Sequence, residues 1–161
     1  WGPARDRRPG PRSGRGPCVA DPSAEHAEVE AVNAAFYAAF ESADLDTMQD
    51  LWLDHPETLC VHPGALPVRG TGAINRSWAL IMANTPYIQF FLTDVEVSVI
   101  EDVASVTCTE NVLTGDETTG PDAFGGAKAV ATNVFVRTSG GWRLWIHHAS
   151  PVLSSGHHDD A

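Results

Sequence analysis

Residues 128–152 read KAVATNVFVRTSGGWRLWIHHASPV, two strand patterns joined by Thr138-Ser139-Gly140-Gly141, a glycine-bearing connection of hairpin length. Before the turn, Val130, Val134 and Val136 alternate with Ala131, Asn133, Phe135 and Arg137. After it, Trp142, Leu144, Ile146 and His148 alternate with Arg143, Trp145 and His147. Alternation of period two with a charge on one side describes a sheet with one face at least partly wet. Adjacent strand residues point to opposite faces. With Arg143 outward, parity therefore puts His148 inside and His147 outside. Phe135 and Trp145 join the arginines on the outer face.

Upstream, the same alternation covers residues 87–100, where Val95, Val97 and Val99 oppose Asp94, Glu96 and Ser98. It continues over 103–113, where Val106, Cys108, Glu110 and Val112 oppose Ser105, Thr107, Thr109 and Asn111. Residues 114–127 between the second and third long strands are glycine-rich and acidic, and long for a hairpin, which suits a lid or binding loop. Shorter extended pieces lie at Glu57–His62, ended by Pro63-Gly64, and at Val68–Gly70.

Three helices precede or interrupt these short pieces. Asp21-Pro22-Ser23 with Glu25 opens the first, since an oxygen-bearing cap and early acids satisfy the free N–H groups and the dipole. Val29, Val32, Phe36, Ala39 and Phe40 then recur at helical spacing to about Ser42. Asp44 caps a second helix, Leu45–Leu53, with Leu45, Met48, Leu51 and Trp52 on one side. A third opens at Thr71 or Gly72, carries Ile74, Trp78, Ile81 and Met82, and ends before Pro86. Three helices and four long antiparallel strands make an α+β domain, with helices packed on one face of a curved sheet.

Composition bounds the rest. The 161 residues suit one domain, with 43% hydrophobic and 19% charged residues as in a soluble globular chain. Domain boundaries are expected at 23 and 153. Residues 1–22 form a Gly/Pro/Arg-rich extension unable to build a core, expected to be disordered. The tail 154–161 is polar and expected to be flexible, although His157-His158-Asp159-Asp160 could ligate a metal. The net charge of −11 hides a split: five arginines against Asp6 and Asp21 make residues 1–22 net +3, leaving −14 on the remainder. A domain so acidic repels nucleic acid and anionic lipid and leaves neutral or cationic small molecules as partners. No apolar run approaches a membrane span and no apolar segment follows the basic N-terminus. Three cysteines, Cys18, Cys60 and Cys108, lack metal spacing. A reducing cytoplasm is the expected setting.

The order of elements resembles the nuclear transport factor 2-like superfamily, in particular its SnoaL-like branch. So do the strings AAFYAAFESADLDTMQDLW (residues 34–52), HPETLCVHPGALPVRGTGAI (55–74) and GGWRLWIHHAS (140–150). The resemblance spans about residues 24–152. It implies a cystatin-like cone, a curved antiparallel sheet wrapped around N-terminal helices and enclosing a pocket. It also implies dimerisation through the outer sheet face, here Phe135, Trp145 and Val152. Members include isomerases, polyketide cyclases, hydrolases, dehydratases and non-catalytic binding modules. Against the ketosteroid isomerase pattern, Phe36 falls at the tyrosine position and His62 at the general-base position. Thr132 or Asn133 falls where that pattern has a protonated acid, so its chemistry does not carry over.

The candidate catalytic residues are His62, His148 and Glu110. Imidazole suits proton transfer near neutral pH. Glu110 is an acid on an otherwise apolar face, and burying it implies a partner or a raised pKa. The same three side chains resemble a two-histidine, one-carboxylate metal set, yet no local spacing supports one, and neither metal nor cofactor is expected. Phe36, Trp52, His55, Trp78, Tyr87, Cys108 and Thr132 are the expected pocket lining, around a small hydrophobic molecule. Two functions stay open: an acid/base enzyme for isomerisation, cyclisation or hydrolysis, and a binding module without chemistry.

Overall fold

The computed structural model describes residues 21–115 and 124–153. The N-terminal extension apart from Asp21 and Pro22, most of the 114–127 loop and the tail fall outside them. The elements run α1 (Pro22–Glu41), α2 (Leu45–Leu51), β1 (Leu59–Val61), β2 (Val68–Arg69), α3 (Thr71–Ala83), β3 (Ile88–Ile100), β4 (Val103–Gly115), β5 (Phe124–Thr138) and β6 (Gly141–Pro151). The helix starts follow from their caps. Asp21 accepts from the Ser23 amide at 3.1 Å and Asp44 from the Thr47 amide at 3.1 Å, each satisfying a free first-turn donor. At α3 no side chain caps; Gly70 precedes it with φ +83°, a left-handed conformation that glycine adopts without strain.

One curved six-stranded sheet, in the order β2-β1-β6-β5-β4-β3, forms the cone wall. The long strands are antiparallel, as their alternation requires. The sheet as a whole is mixed, because β1 lies parallel to β6. The α+β cone expected from the sequence is therefore present, with one parallel pair that the short β1 gave no means of orienting. Val29, Asn33, Phe36 and Tyr37 of α1 are buried at the i, i+4, i+7, i+8 spacing of one helix face. They meet Ala104, Val106, Cys108 and Glu110 from β4, and Ala129, Ala131, Asn133 and Phe135 from β5, all buried.

Strand parity in β6 differs from the sequence expectation. Val134 lies opposite Ile146 and Phe135 opposite Leu144, so Trp145 is an extra residue, a β-bulge. The bulge is held by the Leu53 amide donating to the Leu144 carbonyl at 2.9 Å and by Trp145 Nε1 donating to the Glu57 carbonyl at 3.1 Å. Beyond it every side chain changes face. His147 is 3% exposed while His148 lies on the outer face, the reverse of unbroken alternation.

The face of β5 is corrected for a different reason. Phe135 is buried and Val130 and Val134 point outward. Arg137 shares the inner parity, but at the strand end its guanidinium stacks 4.4 Å over Trp142 and pairs with Glu25 and Asp102. A long cationic side chain can occupy an inward position if its head reaches the rim. Its charge therefore does not mark the wet face.

Solvent accessibility of single thiols tests this parity. In a Cys18→Ser background, His148→Cys reacts with a thiol reagent too large for the cavity at least roughly 10²-fold faster than His147→Cys in the native protein, because only the latter needs an opening reaction. Equal rates would remove the bulge.

Candidate functional site

The mouth of the cone holds a cavity of about 320 Å³. Its floor is left open by small side chains, Ala127 and Ala129 of β5, while Phe36, Phe40, Trp78 and Phe90 form its walls. Four polar side chains enter this apolar space from the inner face, His62 just after β1, Tyr37 on α1, Glu110 on β4 and His147 on β6, and Lys128 of β5 lines it as well.

Three of them belong to one hydrogen-bonded chain, joined through Asn133. His147 Nδ1 lies 2.5 Å from Asn133 Oδ1, the two residues being direct partners across β5 and β6. Asn133 Nδ2 donates to Asn33 Oδ1 at 2.8 Å and to Tyr37 Oη at 3.1 Å. Tyr37 in turn donates to Glu110 Oε1 at 2.7 Å, with Cys108 Sγ 3.6 Å from the same hydroxyl. The donor pattern gives the chain a direction. An amide oxygen can only accept, so His147 carries its proton on Nδ1 and presents the Nε2 lone pair. The phenol accepts from Asn133 and donates to the carboxylate.

Burial governs the protonation states. It is the first cause of the fall of His147 from 6.5 to about 3, with the charges of His62 and His148 adding to it. His62 is lowered by burial too. The Glu110 carboxyl is raised by burial against the opposing Tyr37 hydrogen bond. Tyr37 is pushed well above the usual phenol range, by burial first and then by the Glu110 charge. Cys60 is pushed up to about 12 by burial, an inert thiol rather than a nucleophile. The cavity thus meets its contents with neutral imidazoles.

His62 stands across from His147, with ring centroids 6.4 Å apart. It packs edge-on against Trp78 at 4.8 Å, and its Nε2 lies 3.4 Å from Ser77 Oγ and 3.5 Å from Cys60 Sγ.

Of the candidate catalytic residues, His62 and Glu110 face the cavity and His148 does not, since the bulge turns it outward beside Thr132. The partner that burial of Glu110 implied is Tyr37 and not a histidine. The metal set of His62, His148 and Glu110 is broken by the same turn, and among the described residues no three His, Cys, Asp or Glu side chains converge. Of the expected lining, Phe36 and Trp78 form walls. Cys108 is buried behind Tyr37, and Trp52 is buried in the core away from the cavity. His55 lies in an outer groove beside Trp145; Tyr87 is half-exposed; Thr132 is on the outer face. Asn33, Tyr37, Asn133 and His147 were missing from the expected site. Asn33 and Tyr37 did leave a signal, four residues apart on the buried stripe of α1.

Comparison with known proteins agrees with this architecture. The profile of the SnoaL-like domain matches residues 29–154. A candidate dehydratase of the NTF2-like family from Streptomyces avermitilis is 50% identical, over 83% of this chain and 100% of that one, with a TM-score of 0.77. A candidate calcium/calmodulin-dependent protein kinase type II association domain from Thiobacillus denitrificans is 31% identical, over 77% of this chain and 94% of that one, with a TM-score of 0.68. The F-box protein SKIP8 of Arabidopsis thaliana is 27% identical over 122 residues, 76% of this chain. The chain spans 48% of that curated relative's length. Domains of this kind support small-molecule binding or isomerase-type chemistry. The chain belongs to the SnoaL-like domain family, within the nuclear transport factor 2-like superfamily.

Proposed function

We propose that the protein is a cytoplasmic small-molecule enzyme that moves a proton on a hydrophobic, ring-sized substrate held in the cone. The observation that carries this reading is the buried chain through Asn133, which fixes His147 as a neutral base with its Nε2 lone pair exposed to an apolar cavity. A carbonyl compound fits that base. Nε2 takes a proton from the carbon next to the carbonyl, and the C–H electron pair becomes an enolate. The depressed basicity of His147 opposes this step in the empty cavity. The negative charge forming beside the imidazolium favours it. The His147 imidazolium then returns that proton to another carbon in an isomerisation, or to a departing hydroxyl, which leaves as water, while neutral His62 across the cavity donates a hydrogen bond to the enolate oxygen. The second outcome agrees with the 50% identical relative, a candidate dehydratase. A non-catalytic binding role is the competing reading, favoured by the 31% identity to a candidate kinase association domain.

Proton exchange in D2O discriminates them before a physiological substrate is known. A panel of cyclic ketones and β-hydroxy ketones is followed by NMR for loss of α-protons or elimination. Wild type exchanges at least one compound; His147→Ala and His62→Ala lose about 10²-fold or more, and His148→Ala keeps the wild-type rate. No exchange across the panel would favour the binding module.

Stability against pH reads the state of His147 directly. Its native pKa of about 3 lies below the ordinary 6.5, so between these values the unfolded chain binds a proton that the native one refuses. The contribution is complete above pH 6.5 and is lost as pH falls, by at most about 1.4 kcal/mol per unit. Glu110, raised above 4.5, acts with the opposite sign just above that value. The informative quantity is therefore the difference between wild type and His147→Gln in urea melts from pH 7 to 5. We expect the variant to be the less acid-sensitive of the two; identical slopes would mean that His147 titrates normally.

The same reading includes a homodimer through the outer sheet face. Phe91 and Val130 there are 53% and 48% exposed, and exposed apolar side chains on long strands suit an interface. Light scattering should give twice the 17.2 kDa chain mass at micromolar concentration, and a monomer would rule the interface out.

A further inference from the structure

Glu110 is a glutamate with 3% of its surface exposed, and such groups are almost never buried unless paired. Its hydrogen bond comes from Tyr37 to Oε1, and among the described residues its second oxygen has no partner. The ion pairs among these residues are those of Arg137 with Glu25 and Asp102, at the other end of β5. Both cavity imidazoles are held neutral by burial. Lys128, the chain's single lysine, also lines the cavity but makes no ion pair with Glu110. Among the described residues the acid is thus buried with no cation paired to it.

The walls around this acid are aromatic. Tyr37 packs on Phe90 at 5.0 Å, Phe90 on Phe40 at 5.3 Å, and Phe40 on Trp78 at 5.0 Å. Aromatic rings beside a carboxylate are the chemistry that recognises an organic ammonium group. A net charge of −11 draws cations toward the protein at long range. A metal ion would need several ligands, and no group of three converges among the described residues.

We propose that the cavity takes a protonated amine attached to an aromatic or similarly flat ring, with the ammonium group on the free oxygen of Glu110 and the ring against Phe40, Trp78 and Phe90. This deepens the small-molecule reading given above and rests on it, by naming the charge and class of the ligand. In that arrangement Glu110 holds the substrate, and the proton transfer belongs to His147, with His62 as a hydrogen-bond donor to the enolate oxygen.

Calorimetry with one skeleton in three charge states tests it: 2-phenylethylamine, 2-phenylethanol and phenylacetate at pH 7. The amine should bind at least about 10-fold more tightly than the alcohol, and phenylacetate least. Glu110→Gln should bring the amine down to the level of the alcohol and leave the alcohol unchanged. Retained alcohol binding shows that the variant is folded; should Glu110→Gln not fold, Glu110→Asp, which keeps the charge, should keep the preference for the amine. Alcohol binding equal to or tighter than the amine would mean that Glu110 keeps its own proton and the ligand is neutral. That result, a preference surviving Glu110→Gln, or no binding of any of the three at millimolar concentration overturns the proposal. His147-dependent exchange in D2O is measured separately, so its presence without an amine preference would sink this inference alone. Its absence with the preference intact would sink only the catalytic reading.

Discussion

Between Leu144 and Ile146 the last strand carries one residue more than its neighbour, and the contents of the cone follow from that insertion. With continuous pairing, Trp142, Leu144, Ile146 and His148 would share the inner face. The bulge lets the inner set run Trp142, Leu144, His147, Ala149 instead. It persists because the extra residue is secured on both sides. The backbone of Leu144 accepts from Leu53, and the indole of Trp145 reaches the Glu57 carbonyl. Both anchors lie in the segment between α2 and β1. The same segment leads into His62, so the anchoring of the bulge and the position of the second histidine are one structural arrangement.

Once His147 is inside, its Nδ1–H needs an acceptor, since a buried donor left unmade costs about 1–3 kcal/mol. Asn133, directly opposite in register, supplies one. Asparagine is suited to this junction because one side chain both accepts and donates. Its oxygen accepts from the imidazole Nδ1–H, and its amino group donates to Asn33 and Tyr37. Aspartate could accept but not donate onward, and would place a second carboxylate near Glu110. Tyr37 then completes the chain at the one acid on the inner face of β4. Along this chain the free oxygen of Glu110 and the lone pair of His147 face the cavity, whereas the indole N–H groups of Trp52, Trp78 and Trp142 are buried without a partner among the described residues.

Much of this was legible in the sequence, and the failures have identifiable physical causes. Alternation gave correct faces over β4, including Glu110 inward, because β4 alternates regularly from Val103 to Gly115. It also did so over residues 95–99 of β3, while an insertion between Thr93 and Glu96 changes the parity before it, so that Phe90 and Leu92 pack on the same core. It failed in β6 because counting by twos assumes no insertion, and nothing in TSGGWRLWIHHAS marks a bulge. It failed in β5 because Arg137 was read as a marker of solvent, although it lies where it can stack on Trp142. Helical spacing placed α1 well. Ranking its residues by apolarity hid Asn33 and Tyr37, which occupy the same buried stripe as Phe36. Aromatic residues were poor markers of the cavity for a related reason. Trp52 fills the core, whereas Trp78 lines the cavity, and their local patterns do not differ.

What makes the cone hollow is a gradient of side-chain size along β5. On its inner face Phe135 and Asn133 are followed toward the mouth by Ala131, Ala129 and Ala127. At the Phe135 end, Leu144, Trp142 and Phe135 are all buried in the core. At the alanine end, methyl groups cannot reach the α1 and α3 side chains opposite, and Ala149 of β6 adds no bulk. The unfilled space is the price of the fold's openness, since such residues contribute little of the roughly 25 cal/mol per Å² that a larger apolar side chain would gain on burial. The polar chain runs along the boundary between the two regimes, from Asn33 beneath to Glu110 at the cavity wall. The filled half holds Asn133 and Asn33 rigidly enough to fix the His147 proton, and the hollow half gives its other nitrogen room for a ligand. A cone packed uniformly with large residues would keep the first property and lose the second.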